Sequence, residues 1–184
     1  MKNSCNFHYR KSIRLKGYDY SNSGIYFITI CTKDRELYFK KFSELKEILK
    51  QQWQKIPEKF FNIQLDEFII MPNHIHGIIT VGATLAVAQK KRAGARPAPT
   101  IGEIIGRFKS SCVNDWIKYI DENKLNLNGK FWQRNYYEHI IRNENELNKI
   151  REYIQNNPLK WHLDRENQEK TGNNPLEDAI FKCS

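Results

Sequence analysis

Two apolar segments flank the dipeptide Pro72-Asn73 and leave this part of the chain few ways to fold. The segments IQLDEFIIMP and HIHGIITVG are rich in β-branched and aromatic residues, which are typical of strands. Pro-Asn pairs form turns, and proline cannot donate to a sheet ladder, so Pro72 belongs at a turn or a strand end. The sequence therefore predicts two strands joined at this dipeptide.

Patterns elsewhere predict the other elements. Apolar residues at helical spacing indicate three helices, the second with a capping box at Thr100 and Glu103 and the third ended by Pro158. The predicted order is strand, helix, strand, strand, helix, strand, helix, which favours an α+β protein with helices covering an antiparallel sheet. The further predicted strands are 24–32 and 131–141. The helices are 43–55, with Ser43 as its N-cap, from 100 onward, and 143–156.

Length and composition indicate a single domain. A chain of 184 residues with 40% hydrophobic residues can form one sizeable core. We expect a domain over residues 1–163 and a loose, polar tail over residues 164–184. Residues 83–99 are small and basic, with few large apolar side chains, and we expect a flexible insertion there.

Charge and cysteine content suggest a nucleic-acid partner and a cytoplasmic location. The formal net charge of +9 suits a polyanion, because neutralising phosphates releases counterions. The alternative is a merely basic, soluble protein. The four cysteines are scattered, which argues against a disulfide framework and fits a reducing cytoplasm. The polar first residues argue against a signal peptide, and no segment has the apolar length needed to cross a bilayer.

His74 and His76 form a candidate cation site. Side chains on a strand alternate between its faces, so these two imidazoles share one face while Ile75 points to the other. Each imidazole could give a nitrogen to one divalent cation, and such a site would face solvent or substrate. The alternative is a pair of ordinary polar strand residues.

The third helix carries a candidate nucleophile. Tyr153 and Asn157 lie four residues apart and therefore on one side, at the edge of the apolar stripe. A phenol is a weak nucleophile, so attack on a phosphodiester needs a cation that accepts developing charge. Two histidines and one amide oxygen could hold Mg²⁺ or Mn²⁺. The alternative is a tyrosine at the rim of the core with a solvated hydroxyl.

Several separated motifs resemble one known family. MPNHIHGIIT resembles the histidine segment of the HUH endonuclease superfamily, and REYIQNNP resembles the tyrosine helix of its single-tyrosine transposases, especially the REP-associated tyrosine transposases. RKSIRLKGYDYSNSGIYFITICTKDR, TIGEIIGRFKS and FWQRNYYEHIIRNENEL resemble the same group, in the same order. The resemblance covers roughly residues 10–161.

The resemblance implies a fold, a reaction and roles for particular residues. The fold would be ferredoxin-like, and the reaction would cleave single-stranded DNA beside a hairpin through a 5′-phosphotyrosine intermediate. His74 and His76 would bind the cation, and Tyr153 would be the nucleophile. Asn157 stands where insertion-sequence relatives have a ligating glutamine, so it is the implied third ligand.

Three residues of the segment 131–141 are alternative candidates. Tyr136 and Tyr137 are rival nucleophiles, on a predicted strand where one of them faces the core. His139 is either a structural residue or an alternative ligand.

Basic residues suggest where DNA would bind. A single-stranded hairpin needs cations for its backbone and aromatic faces for unpaired bases. The densest basic cluster lies in the insertion, whose alternative is an incidental, tolerated insertion. The candidate DNA contacts are Arg107, Lys109, Arg134 and Arg142, together with Lys90, Lys91 and Arg92 in the insertion.

Four functions are compatible with these patterns. The leading one is a DNA transposase, or site-specific nickase and strand transferase, acting as a monomer or homodimer. A replication-initiator or relaxase-like nickase and a domesticated DNA-binding protein that does not cut are alternatives. The fourth is a metal-free RNA-binding module.

Overall fold

The structure is a computed structural model that describes residues 23–82 and 99–181. Most of the predicted insertion lies outside the described residues, and Lys90, Lys91 and Arg92 lie there with it. The elements in chain order are β1 (Gly24–Cys31), α1 (Tyr38–Lys41), α2 (Ser43–Gln54), α3 (Ile56–Lys59), β2 (Ile63–Ile70), β3 (His74–Val81), α4 (Ile101–Glu122), β4 (Tyr137–Ile141), α5 (Glu144–Asn156) and α6 (Pro175–Phe181).

The four strands form one antiparallel sheet in the order β2-β3-β1-β4. The connection from β1 to β2 passes over β3, and the connection from β3 to β4 passes over β1. This βαββαβ arrangement is ferredoxin-like, which confirms the predicted α+β class and sheet. Met71 N–H donates to the His74 carbonyl at 2.8 Å, so the hairpin turns at Pro72-Asn73 as predicted.

The sheet separates two apolar cores. Alternation along β1 sends Tyr26, Ile28 and Ile30 to the core under α2 and α4, and sends Phe27 to a second core under α5 and α6. Along β3, Ile75 joins the first core and Ile78 the second. His74 and His76 share the face of Ile78 because they lie four and two residues before it on the strand. The histidine pair therefore faces α5.

Close approach of α2 to the sheet depends on one glycine. A Cβ on Gly77 would lie 2.4 Å from the indole ring of Trp53. The Trp53 ring stacks on Phe68 of β2, with centroids 4.5 Å apart. Glycine at position 77 therefore lets the Trp53 ring lie directly against the strand that carries the histidines.

Polar contacts fix α5 over the other face. The Asn143 side chain accepts from Glu146 N–H at 2.9 Å and caps the helix. Asp66 Oδ2 accepts from Nε and Nη2 of the Arg151 guanidinium, at 3.1 and 2.6 Å, and joins the helix to β2. The β2 register shifts between Leu65 and Phe68, so Asp66 lies in the irregular part of the strand.

Three predictions about the elements need correction. The strand predicted over residues 131–141 spans only Tyr137–Ile141, because the preceding segment forms an isolated bridge from Trp132 to Thr32 instead. Phe42, not Ser43, caps α2. The segment after residue 163 is not loose, because α6 packs on α5 and Asp164, Asn174 and Glu177 are buried.

No helix among residues 23–82 and 99–181 has the length and apolar character to cross a membrane. The Thr100 and Glu103 capping box predicted for the second long helix is present. Cys31 and Cys112 are buried free thiols.

Candidate metal and tyrosine site

His74 and His76 converge on one point beneath α5. Their Nε2 atoms are 2.9 Å apart, and both side chains are fully buried. The prediction that the two imidazoles share a face is confirmed by this geometry. The expectation that the face is open is wrong, because α5 and the segment after it cover the pair.

Asn73 determines the tautomer of His74. Its Nδ2 donates to the carbonyls of Arg35 at 3.2 Å and Glu166 at 2.8 Å, which leaves Oδ1 as an acceptor. That oxygen lies 2.8 Å from His74 Nδ1, so Nδ1 carries the proton. In the neutral ring, Nε2 then presents a lone pair.

Thr29 orients His76 in a similar way. Strand register places Thr29 opposite His76, and its Oγ1 lies 2.9 Å from His76 Nδ1. The hydroxyl oxygen can accept a hydrogen bond from Nδ1–H. In that tautomer, Nε2 of His76 would present a lone pair beside that of His74. Hydrogen bonds of this kind at the far nitrogen are typical of metal-binding histidines.

Burial keeps both imidazoles neutral. Burial, followed by the neighbouring His76 and Arg35, lowers the pKa of His74 well below its usual value. Burial, followed by Arg165, lowers the pKa of His76 to about 3. A metal ligand must be unprotonated, so both nitrogens are in the ligating state at neutral pH.

Asp164 provides an oxygen at the same point. Its Oδ1 accepts from Glu166 N–H at 2.7 Å, and its Oδ2 lies 3.6 Å from His74 Nε2. Oδ2 is buried without a hydrogen-bond partner among the described residues. Burial raises the pKa of Asp164 to about 6, against hydrogen bonds from Glu166 and Asn157 that lower it. The carboxyl is therefore mainly ionised at neutral pH.

Asn157 lies beside this group at the C-cap of α5. It is buried, and its Oδ1 has no hydrogen-bond partner within the described part of the chain. Burial raises the pKa of both Tyr153 and Asp164, and hydrogen bonding by Asn157 lowers both by a smaller amount. The Asn157 amide therefore adjoins both side chains. Asn157 is thus near the cluster that the resemblance implies for it.

The donor set fits a divalent cation. One nitrogen each from His74 and His76 and one oxygen from Asp164 all lie within 4.8 Å of one another. Neighbouring ligand atoms about a small divalent ion are about 3 Å apart, because each lies about 2.1 Å from the ion. Two buried oxygens without partners, on Asp164 and Asn157, would gain one from such an ion.

Tyr153 reaches the same cluster from α5. Its hydroxyl lies 3.2 Å from His76 Nε2 and 3.4 Å from Glu177 Oε1. Its ring meets Phe27 edge to face, with centroids 6.0 Å apart. The side chain is buried, so the alternative of a solvated rim tyrosine is wrong.

The surroundings make Tyr153 a weaker acid than a free phenol. Burial raises its pKa, and the negative charges of Asp164 and Glu177 raise it further. A cation between Asp164 and the histidines would offset this effect, because its charge favours the phenolate.

Sequence patterns missed Asp164 and Glu177. Both lie beyond Pro158 in a polar segment that we expected to be loose. Neither has a spacing relative to Tyr153 that would mark it as a site residue. Chain reversal through a 3₁₀ turn (Asn157–Leu163) brings them back to the histidines.

The structure separates the alternative candidates from the cluster. Tyr136 donates to Glu138 at 2.8 Å, and the Tyr137 ring contacts Phe181, with centroids 4.8 Å apart. His139 Nε2 lies 2.7 Å from Glu146 Oε1, across from β4 to α5. The pair supports the structural interpretation of His139.

The predicted DNA contacts have different settings. Arg107 is exposed on α4, in the layer across the sheet from the histidines. Lys109 donates to the carbonyls of Gln133 at 2.6 Å and Arg134 at 2.9 Å, and burial lowers its pKa to about 8. Arg134 and Arg142 are exposed. Their contribution to DNA binding stays a prediction.

Comparison with known proteins identifies relatives in two ways. The chain is 41% identical to an uncharacterized protein of Haemophilus influenzae strain Rd over 181 residues, which cover 89% of this chain and 96% of that protein. It is 25% identical over 144 residues to a second protein of that strain, named "Putative REP-associated tyrosine transposase", covering 77% of this chain and 74% of that protein. No family model matches the chain.

A solved structure shares the fold. The structure of a REP-associated tyrosine transposase bound to a REP hairpin superposes with a TM-score of 0.50 and 18% identity, covering 75% of this chain and 68% of that one. This likeness agrees with the ferredoxin-like sheet described above, and the weaker sequence relative agrees with the resemblance of the motifs to the REP-associated tyrosine transposases.

Proposed function

We propose that this protein is a divalent-cation-dependent enzyme that nicks and rejoins single-stranded DNA beside hairpins, with Tyr153 as nucleophile. The observation that carries the proposal is the contact of the Tyr153 hydroxyl with His76 Nε2 at 3.2 Å. This contact supports the proposal because the candidate nucleophile then lies beside a group of side chains suited to a cation. The net charge of +9 suits a DNA substrate.

The cation would be held by His74, His76 and Asp164, with Asn157 as a further ligand. Mg²⁺ or Mn²⁺ suits a mixture of imidazole, carboxylate and amide donors. When bound, it supplies Lewis acidity at the phosphate and favours the ionised phenol. Asn73 and Thr29 would hold the two imidazoles in the ligating tautomer.

The protein's own residues perform the substitution. The Tyr153 hydroxyl gives its proton to a base in the site as its oxygen attacks phosphorus. The bond from phosphorus to the 3′-oxygen breaks, and the DNA 5′ end stays on the tyrosine. The 3′-oxygen leaves with the electron pair and takes a proton from water. The phosphotyrosine conserves the bond energy, so a 3′-hydroxyl can later reverse the step and rejoin the strand.

Burial of the site sets a condition on substrate binding. His74, His76 and Tyr153 are each at most 1% exposed. A phosphodiester therefore reaches Tyr153 only when part of the covering segment moves aside while Asp164 and Glu177 keep their places at the cluster. This cost of opening favours DNA that binds the protein tightly enough to offset it.

Covalent capture tests the proposal. Purified protein is incubated with a library of single-stranded hairpins and Mn²⁺ or Mg²⁺, and adducts are resolved under denaturing conditions. We expect an adduct with wild type and with the control Tyr119→Phe on α4, and none with Tyr153→Phe. Absence of an adduct at every metal concentration, with hairpin binding retained, would favour a DNA-binding protein that does not cut.

A further inference from the structure

Glu177 is a buried carboxyl in contact with the proposed nucleophile. Its Oε1 lies 3.4 Å from the Tyr153 hydroxyl, which donates to it. Both carboxylate oxygens accept from Arg165 N–H, at 3.1 and 3.2 Å. This double contact holds the carboxyl in one orientation against the tyrosine.

The alternative acceptor for the Tyr153 proton is His76, and cation binding removes it. His76 Nε2 is 3.2 Å from the hydroxyl, but a ligating nitrogen uses its lone pair on the cation. Among the described residues, Glu177 is then the carboxylate in hydrogen-bond contact with the hydroxyl. The hydroxyl proton therefore points to Glu177 in the cation-bound protein.

Glu177 also connects the buried hydroxyl with the protein surface. It lines a cavity of about 320 Å³ together with Arg165, Lys170, Asn173 and Phe181. A proton released by Tyr153 cannot pass through the apolar core around Phe27. A carboxylate that contacts the hydroxyl on one side and a polar cavity on the other provides a path to water.

From these contacts we propose that Glu177 is a catalytic residue that accepts the Tyr153 hydroxyl proton during attack on DNA and returns it during rejoining. The inference rests on the proposed function. The O–H bond of Tyr153 breaks as its oxygen bonds to phosphorus, and the proton moves to Glu177 Oε1. In the reverse step a 3′-hydroxyl gives its proton to water as its oxygen bonds to phosphorus. The bond from phosphorus to Tyr153 breaks, and Glu177 returns a proton to the phenolate oxygen.

The surroundings of Glu177 suit this exchange. Burial raises its pKa to about 7, against the hydrogen bond from Arg165 N–H that lowers it, and the charge of Asp164 raises it as well. A base with a pKa near the working pH balances ionisation against proton affinity. The titratable or charged groups that face it are Tyr153, Asp164, Arg165 and Glu166, and Lys170 and Asp178 line the same cavity.

The test compares Glu177→Gln with a matched control in full-length protein. Glutamine can still accept from Arg165 N–H and from the hydroxyl, so it removes proton acceptance and preserves the contacts. The control Glu169→Gln removes an equal charge from an exposed position in the same segment. The probe is a hairpin oligonucleotide that wild type cleaves with Mn²⁺, and the readouts are single-turnover adduct formation, hairpin affinity and Mn²⁺ affinity.

We expect Glu177→Gln to form adduct at least about 100-fold more slowly at pH 7, in the range for a general base, with both affinities unchanged. The wild-type rate should rise with pH and level off near pH 7, whereas the variant rate should continue to rise. Equal slowing of adduct reversal is required, because one proton moves in both directions.

Three results would overturn the inference. Equal rates in Glu177→Gln and wild type across the pH range would show that Glu177 accepts no proton. A faster variant would show that the contact restrains Tyr153. If wild type itself forms no Tyr153-dependent adduct, the proposed function fails and the inference fails with it, and that outcome is distinct from the first two.

Discussion

The Oδ2 atom of Asp164 lies 3.6 Å from His74 Nε2, although the two residues are separated by ninety positions of sequence. The other oxygen of Asp164 accepts from Glu166 N–H, whereas Oδ2 has no hydrogen-bond partner among the described residues. A buried carboxylate oxygen without a partner is costly, and a cation held at the histidine pair would satisfy it.

Replacing Asp164 with asparagine should weaken cation binding. The change removes the negative charge from the ligand group and keeps the size of the side chain. We expect the affinity for Mn²⁺, measured by calorimetry or by electron paramagnetic resonance, to fall at least about tenfold. Asp121→Asn, at an exposed position of α4, removes an equal charge, and this variant should bind Mn²⁺ as wild type does. An unchanged affinity in Asp164→Asn would remove this residue from the site.

Thr29→Val tests how His76 is oriented. Valine has nearly the shape of threonine but cannot bond to His76 Nδ1, which lies 2.9 Å from the hydroxyl. We expect Mn²⁺ affinity to fall about tenfold, the lower range for loss of a hydrogen bond to a ligating histidine. Thr80→Val, on β3 with His76, serves as the control. Equal affinities in the two variants would show that the hydroxyl does not orient the ring.

Asn73→Ala should destabilise the folded protein. The change leaves the carbonyls of Arg35 and Glu166 and the Nδ1 proton of His74 without their partner. We expect a loss of about 2 to 3 kcal/mol in the free energy of unfolding by urea, as for buried groups left unsatisfied. A loss below about 0.5 kcal/mol would mean that water replaces the amide and that Asn73 does not fix the turn.

Acid should reduce the stability that the neutral histidines provide. The pKa of His76 falls from 6.5 in the unfolded chain to about 3 in the fold, so below pH 6.5 the unfolded chain binds more protons. Stability therefore rises with pH in this window and is lost as the pH falls. The raised pKa values of Asp164 and Glu177 change the stability in the opposite direction, because these groups bind more protons in the folded state. The contribution of His76 is therefore measured as a difference in stability between wild type and a variant without this imidazole.

The comparison is wild type against His76→Gln, in EDTA. Between pH 7.5 and pH 5, the difference in unfolding free energy should move in favour of the variant by about 2 kcal/mol. A difference that does not change with pH would mean that His76 titrates normally and is not buried as described.

Gly77→Ala should disturb the other face of the sheet. The added Cβ would lie 2.4 Å from the Trp53 ring, so α2 must shift or the ring must turn. We expect a loss of about 1 to 3 kcal/mol by urea unfolding, the usual range for overpacking. Gly106→Ala on α4, where a Cβ meets no atom within 4 Å, should be neutral or slightly stabilising. Similar stability of both variants would contradict the packing of Trp53.

Local patterns predicted most of the fold. Alternation, apolar spacing and caps each act within a few residues, so the strands around Pro72-Asn73 and the capped helix at Thr100 were visible in the sequence. The shared face of His74 and His76 follows from the same alternation. The strand at 131–141 was predicted too long, because the bridge from Trp132 to Thr32 depends on a distant segment.

The remainder of the site depends on chain reversal. Asp164 and Glu177 reach the cluster only because residues 157–163 turn back over the histidines, and no local pattern encodes that turn's destination. The burial of Tyr153 was missed for the same reason. On α5 alone it lies at the edge of the apolar stripe, and α6 then covers it.

Mapping of the covalent adduct tests the central claim most directly. Adduct formed with Mn²⁺ and a cleaved hairpin is digested with protease and nuclease, and the modified residue is located by mass spectrometry. The account predicts a nucleotide on Tyr153, joined through a 5′-phosphate, and no adduct from His76→Ala. A nucleotide on Tyr136 or Tyr137, or an undiminished adduct in Tyr153→Phe, would contradict it.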